Sequence, residues 1–76
     1  MIEIMIGNNE KRLTKMVDEN QTPAQVFAAT NLYYADSGIE LNGMRLSAEE
    51  ANRSTLAELG ARNNDILMYN KKNDNG

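Results

Sequence analysis

The side chains of this sequence best suited to covalent or acid–base chemistry are two serines, Ser47 and Ser54, and one adjacent carboxylate pair, Glu49 and Glu50. Neither set has what it needs. A serine hydroxyl attacks only when a neighbouring base takes its proton, and the 76 residues include no histidine and no cysteine. A Ser–His–Asp arrangement is therefore impossible. Working carboxylate pairs require a concave setting that raises one pKa. Glu49 and Glu50 instead stand in the polar run SAEEANRS and read as solvated surface. The glycine-bearing GNNEK from Gly7 lacks the glycine spacing of a phosphate loop and leads into a strand. Lys11, Arg12 and Lys15 make a small basic cluster, offset by Asp18 and Glu19, that reads as a solvated strand edge. The carboxylates are too scattered for a calcium loop, and the ligands of a structural zinc are missing. The expectation is no catalytic residue, no metal and no cofactor.

Composition narrows the remaining classes. A single domain of this length buries only about 60% of its unfolded surface, so packing must supply a modest stability, and no disulfide can help. Eight basic against eleven acidic residues give a formal charge of −3, which disfavours attraction to nucleic acid or anionic membrane. No apolar run approaches the ~20 residues needed to span a bilayer. The opening MIEIMIGNNEK has an acid inside its apolar run, unlike a signal peptide. A cytoplasmic location without membrane insertion is expected, and a protein partner rather than a nucleic acid.

The elements are set by periodicity. Ile2, Ile4 and Ile6 alternate with Glu3 and Met5, as in a strand with one buried face. GNNEK is a hairpin loop, and residues 11–17 return as a strand. There Lys15 interrupts the face shared by Leu13 and Val17, which calls for a bulge or a lysine stem reaching out at an edge. Thr22, Pro23 and Gln25 mark a capped helix start. The helix is predicted over residues 22–35, with Val26, Ala29, Thr30 and Tyr33 facing the sheet, Phe27 and Tyr34 at the core edge, and Gly38 as the stop. Ile39 and Leu41 form a short strand before the tight turn Asn42–Gly43. SAEEANRS wraps the surface, Thr55 and Glu58 cap a one-turn helix, and residues 65–71 form the last strand. Its Leu67 and Tyr69 face one way, Ile66 and Met68 the other. The predicted core is Ile2, Ile4, Ile6, Leu13, Val17, Val26, Thr30, Leu41, Leu46, Leu56, Leu59, Leu67 and Tyr69. Such an order predicts an α+β fold, a mixed sheet of four to five strands with one main helix on one face and a short helix before the last strand.

TPAQVFAAT, IELNGMRL and STLAELGARNNDILMY, together with the first hairpin, resemble the ubiquitin-like β-grasp family across residues 1–70. Residues 71–76 then form a polar tail. A narrower similarity, carried by Asn64, Asp65 and Leu67, is to small bacterial proteins associated with type VII-like secretion. The resemblance implies either a conjugated modifier or sulfur carrier, activated at its C-terminus by a separate adenylating enzyme, or a non-conjugated adaptor. Activation threads a narrow tail into the enzyme, and Gly76 suits that task, whereas Asn75 and Asp74 are bulkier than the family's glycine end. That departure favours the adaptor, with a secretion-related assembly as one setting for it.

The adaptor needs a surface. In a β-grasp the helix leaves one sheet face open, and Met5, Ile66 and Met68 are predicted there, rimmed by Glu3, Glu40 and Asn70. Glu40 occupies the place of a central aliphatic residue of the modifier, so the modifier's receptors are not expected to bind. A second copy of the chain is an alternative occupant of the face.

Overall fold

The computed structural model describes residues 1–35 and 37–70. The chain runs β1 (Ile2–Gly7), β2 (Arg12–Val17), α1 (Pro23–Thr30), β3 (Ile39–Leu41), β4 (Met44–Arg45), α2 (Ala48–Arg53) and β5 (Ile66–Tyr69). The five strands form one mixed sheet in the order β2-β1-β5-β3-β4. β5 lies parallel to β1 and antiparallel to β3.

The alternation in β1 buries Ile2, Ile4 and Ile6 against the helices. Its antiparallel partner β2 keeps an unbroken register, Ile2 opposite Val17, Ile4 opposite Lys15 and Ile6 opposite Leu13. There is no bulge. Lys15 shares the helix side with Ile4, but β2 is an edge strand, so the lysine is exposed while Ile4 is wholly buried. Asn8 closes the hairpin, its Oδ1 accepting the Glu10 and Lys11 N–H groups at 2.9 Å each.

α1 starts where the sequence predicts. Thr22 Oγ1 accepts from Gln25 N–H at 3.2 Å, and Thr22 N–H donates to Gln25 Oε1 at 2.9 Å. It stops earlier than predicted, at Asn31, which takes the left-handed conformation with φ 60°. The chain then folds back: Leu32 is buried and Tyr34 stacks on Phe27 with centroids 5.4 Å apart. These tertiary contacts replace a further helical turn. The buried helix face is accordingly Pro23, Ala24, Val26 and Phe27. Phe27 is wholly buried, not at the core edge, while Ala29 and Tyr33 are exposed. Gly38 serves β3 instead: a Cβ there would lie 2.8 Å from Asn70 O and 2.9 Å from a Tyr69 ring carbon.

The short helix before the last strand is α2, inside the run predicted as surface wrapping. Ser47 and Glu50 form its capping box at 2.9 and 3.1 Å, and Ala51 is its buried residue. The Thr55–Glu58 box also forms, at 2.8 and 3.1 Å, but closes only a hydrogen-bonded turn that sets Leu56 in the core. Of the predicted core, Leu13, Thr30 and Leu59 are half-buried; Ala24, Phe27, Leu32, Ile39 and Ala51 complete it. Lys71, predicted in the last strand, and the predicted tail over residues 71–76 lie outside the described residues.

Candidate binding face

Both helices occupy one side of the sheet, so the other side is open. Strand pairing decides which side chains share it. Met5 stands opposite Ile66 across the parallel β1–β5 pair, and Glu40 stands opposite Met68 across β3–β5. Ile66 is 41% exposed, and Met5 and Met68 are half-buried. Asn70, just past β5, donates from Nδ2 to Glu40 Oε1 at 3.3 Å. Of the residues expected at the face, Met5, Glu40, Ile66, Met68 and Asn70 are brought together by these pairings, and Glu3 shares the side of Met5 two residues earlier in β1. Gly76 is outside the described residues.

Two further residues belong to this face. Met16 is opposite Glu3 on the edge strand and is 49% exposed, so the apolar groups run from Met16 through Met5 and Ile66 to Met68. The strict pairing of β2 with β1 could have revealed it, but Lys15 obscured the phase of β2. Arg45 is opposite Glu40 across the β3–β4 turn, and its Nη2 lies 3.2 Å from Glu40 Oε2. The two-residue turn at Asn42–Gly43 fixes that pairing, and so carries the signal for it.

Glu40 therefore has both carboxylate oxygens engaged, one by Arg45 and one by Asn70. An acid beside Met68 is held in place rather than left free to swing. Half-exposed ion pairs add little stability, but a fixed charge adds geometric demand on anything that docks. A shallow depression over Met5 is edged by Glu3, Thr14, Asn64 and Ile66. The face offers apolar contact and hydrogen bonds, with no nucleophile paired to a base. Among the described residues no three acidic side chains converge to hold a metal ion, and no helix is long and apolar enough to cross a membrane.

No protein-family model matches the chain, and no curated protein does. Among solved structures, Caldiarchaeum subterraneum ubiquitin superposes with a TM-score of 0.64 at 22% identity, covering 99% of this chain and 98% of that one. The fold is the ubiquitin-like β-grasp. At this identity the likeness establishes the architecture, a five-stranded mixed sheet with helices on one face, and the match extends over both chains almost end to end.

Proposed function

We propose that the protein is a ubiquitin-like modifier, joined to its target through the carboxylate of Gly76 by a separate adenylating enzyme and recognised through its open sheet face. The observation that carries this reading is the near end-to-end correspondence with an archaeal ubiquitin. The domain itself contributes no catalysis. In the proposed step the Gly76 carboxylate attacks the α-phosphorus of ATP, pyrophosphate leaves, and the acyl-adenylate passes its acyl group to a nucleophile of the enzyme or target as AMP departs. β5 suits the connection, because it is paired on both sides, by β1 and β3, and so gives the C-terminal end of the domain a firm anchor at Tyr69. Asn75 and Asp74 require an activating enzyme with a channel wider than a glycine pair needs.

An adaptor role is the second reading, and the run of Met16, Met5, Ile66 and Met68 favours it, since methionines adapt to imperfectly matched surfaces. Membership of a secretion-related assembly has less support. The residues that suggested it have structural work: Asn64 adopts φ 72°, Asp65 accepts from Arg62 N–H at 2.9 Å, and Leu67 is wholly buried.

Intact-mass analysis after incubation with ATP and lysate of the source organism tests the proposal. A covalent adduct that needs ATP and disappears when Gly76 is deleted is expected. Capture of partners without any adduct would favour the adaptor.

A further inference from the structure

Asn42 and Gly43 form the turn between β3 and β4, and they combine features that favour attack of a backbone on its own side chain. Asn42 is exposed with φ 53°. Gly43 comes next with φ 85°, and a Cβ built on it would meet nothing within 4 Å. Gly43 itself carries no side chain to hinder attack by its peptide nitrogen. Asn31 and Asn64 share the left-handed backbone but precede Leu32 and Asp65, whose side chains crowd the corresponding nitrogen.

We propose that Asn42–Gly43 is a self-modification site that the fold holds in check. The Gly43 nitrogen gives its proton to solvent base and attacks Asn42 Cγ. The new N–Cγ bond closes a five-membered succinimide, the Cγ–Nδ2 bond breaks, and ammonia leaves. One water then opens the ring. Cleavage at Cγ–N leaves aspartate, while cleavage at the backbone carbonyl carbon leaves isoaspartate, with a main chain longer by one methylene. No redox partner is required.

The restraint comes from Ile66. Asn42 Oδ1 accepts the Ile66 N–H at 2.9 Å, and Asn42 N–H donates to Ile66 O at 2.8 Å. The side chain of Asn42 thereby stands in for a backbone acceptor and extends the β3–β5 ladder one rung past Leu41–Leu67. Ring closure takes Oδ1 away from Ile66, so it must break this rung. Aspartate restores an acceptor in the same place. Isoaspartate shifts it, leaves the Ile66 N–H unpaired, and loosens the start of β5 where Ile66 meets the open face. The residue pair records time spent unfolded.

The test incubates the intact chain in mildly alkaline buffer, with and without guanidinium chloride, and maps isoaspartate by mass spectrometry of peptides that separate Asn42 from Asn75. In denaturant the conversion at Asn42 should be faster by roughly tenfold or more, a restraint of about 1.4 kcal/mol or greater. Gly43→Ala in denaturant, where folding plays no part, should slow it several-fold. Equal rates with and without denaturant would overturn the restraint by Ile66. Absence of conversion at Asn42 in the unfolded chain would overturn the site.

Discussion

Glu40 lies directly opposite Met68 on the open sheet face, with its carboxylate held between Arg45 at 3.2 Å and Asn70 at 3.3 Å. An apolar contact surface thus carries a fixed charge network at one end. A partner that covers Met68 must accommodate that network or break it, and breaking a desolvated charge pair is costly.

The face can be probed without harming the fold. Ile66→Glu and Met16→Glu place carboxylates at positions 41% and 49% exposed, so stability should change by no more than ~0.5 kcal/mol. Binding to a protein retained by the intact chain in a pull-down should weaken more than about tenfold, since an unpaired carboxylate resists desolvation. Titration calorimetry of each variant, with Glu49→Ala as a remote control, measures this. Unchanged affinity would place recognition elsewhere.

Leu67 tests the inner side of the same strand. It is wholly buried between the neighbours β1 and β3, and Leu67→Ala should cost about 2–5 kcal/mol in denaturant unfolding. That is a large share of the ~5–15 kcal/mol expected of a native domain. A loss below ~1 kcal/mol would contradict the burial of this strand.

The capping boxes that head α1 and α2 should differ in consequence. Thr22→Ala and Ser47→Ala each remove a side-chain acceptor from a helix start, worth typically ~1 kcal/mol. Thr22 is 9% exposed and heads the helix that buries Phe27, whereas Ser47 is exposed and heads a helix burying only Ala51. Thermal unfolding should rank Thr22→Ala as the more damaging, and the reverse order would assign α2 a larger part in the core.

The Met1 ammonium and Glu19 predict a pH window. They meet at 2.7 Å, and hydrogen bonding to Glu19 raises the ammonium above its ordinary 8.0, while the same bond holds the Glu19 carboxyl below 4.5. The stabilisation from the raised ammonium is complete below its unfolded pKa and lost as pH rises through the folded one. That from the depressed carboxyl is complete above its unfolded pKa and lost as pH falls through the folded one. The pair therefore acts between about pH 5 and pH 8. NMR titration should show the Met1 shift vanish in Glu19→Gln; a persistent shift would assign it to another group.

How much of this was legible in the sequence depends on whether local pattern or tertiary contact decides each element. β1 was legible, because strict alternation of Ile2, Ile4 and Ile6 has one solution. The start of α1 was legible from Thr22, Pro23 and Gln25. Its end was not, because Leu32 and Tyr33 continue the helical spacing and only the stacking of Tyr34 on Phe27 shows that the chain has turned. α2 carries its signal in Ser47 and Glu50, but with Ala51 alone buried it has almost no hydrophobic period to support it. At the face, Met5, Ile66 and Met68 come directly from alternation. Met16 and Arg45 needed the registers of β2 with β1 and of β4 with β3.

The parallel alignment of β1 and β5 has a mechanical consequence. The chain enters the sheet at Ile2 and leaves it at Tyr69, on adjacent strands running the same way. These points lie at opposite ends of the sheet. Tension applied between them slides β1 against β5 along their length and loads their hydrogen bonds together, including Met5 N–H to Asp65 O at 3.0 Å. Pulling β1 away from β2 at the hairpin would break rungs one after another. Force directed through the two ends therefore meets the domain in its resistant direction.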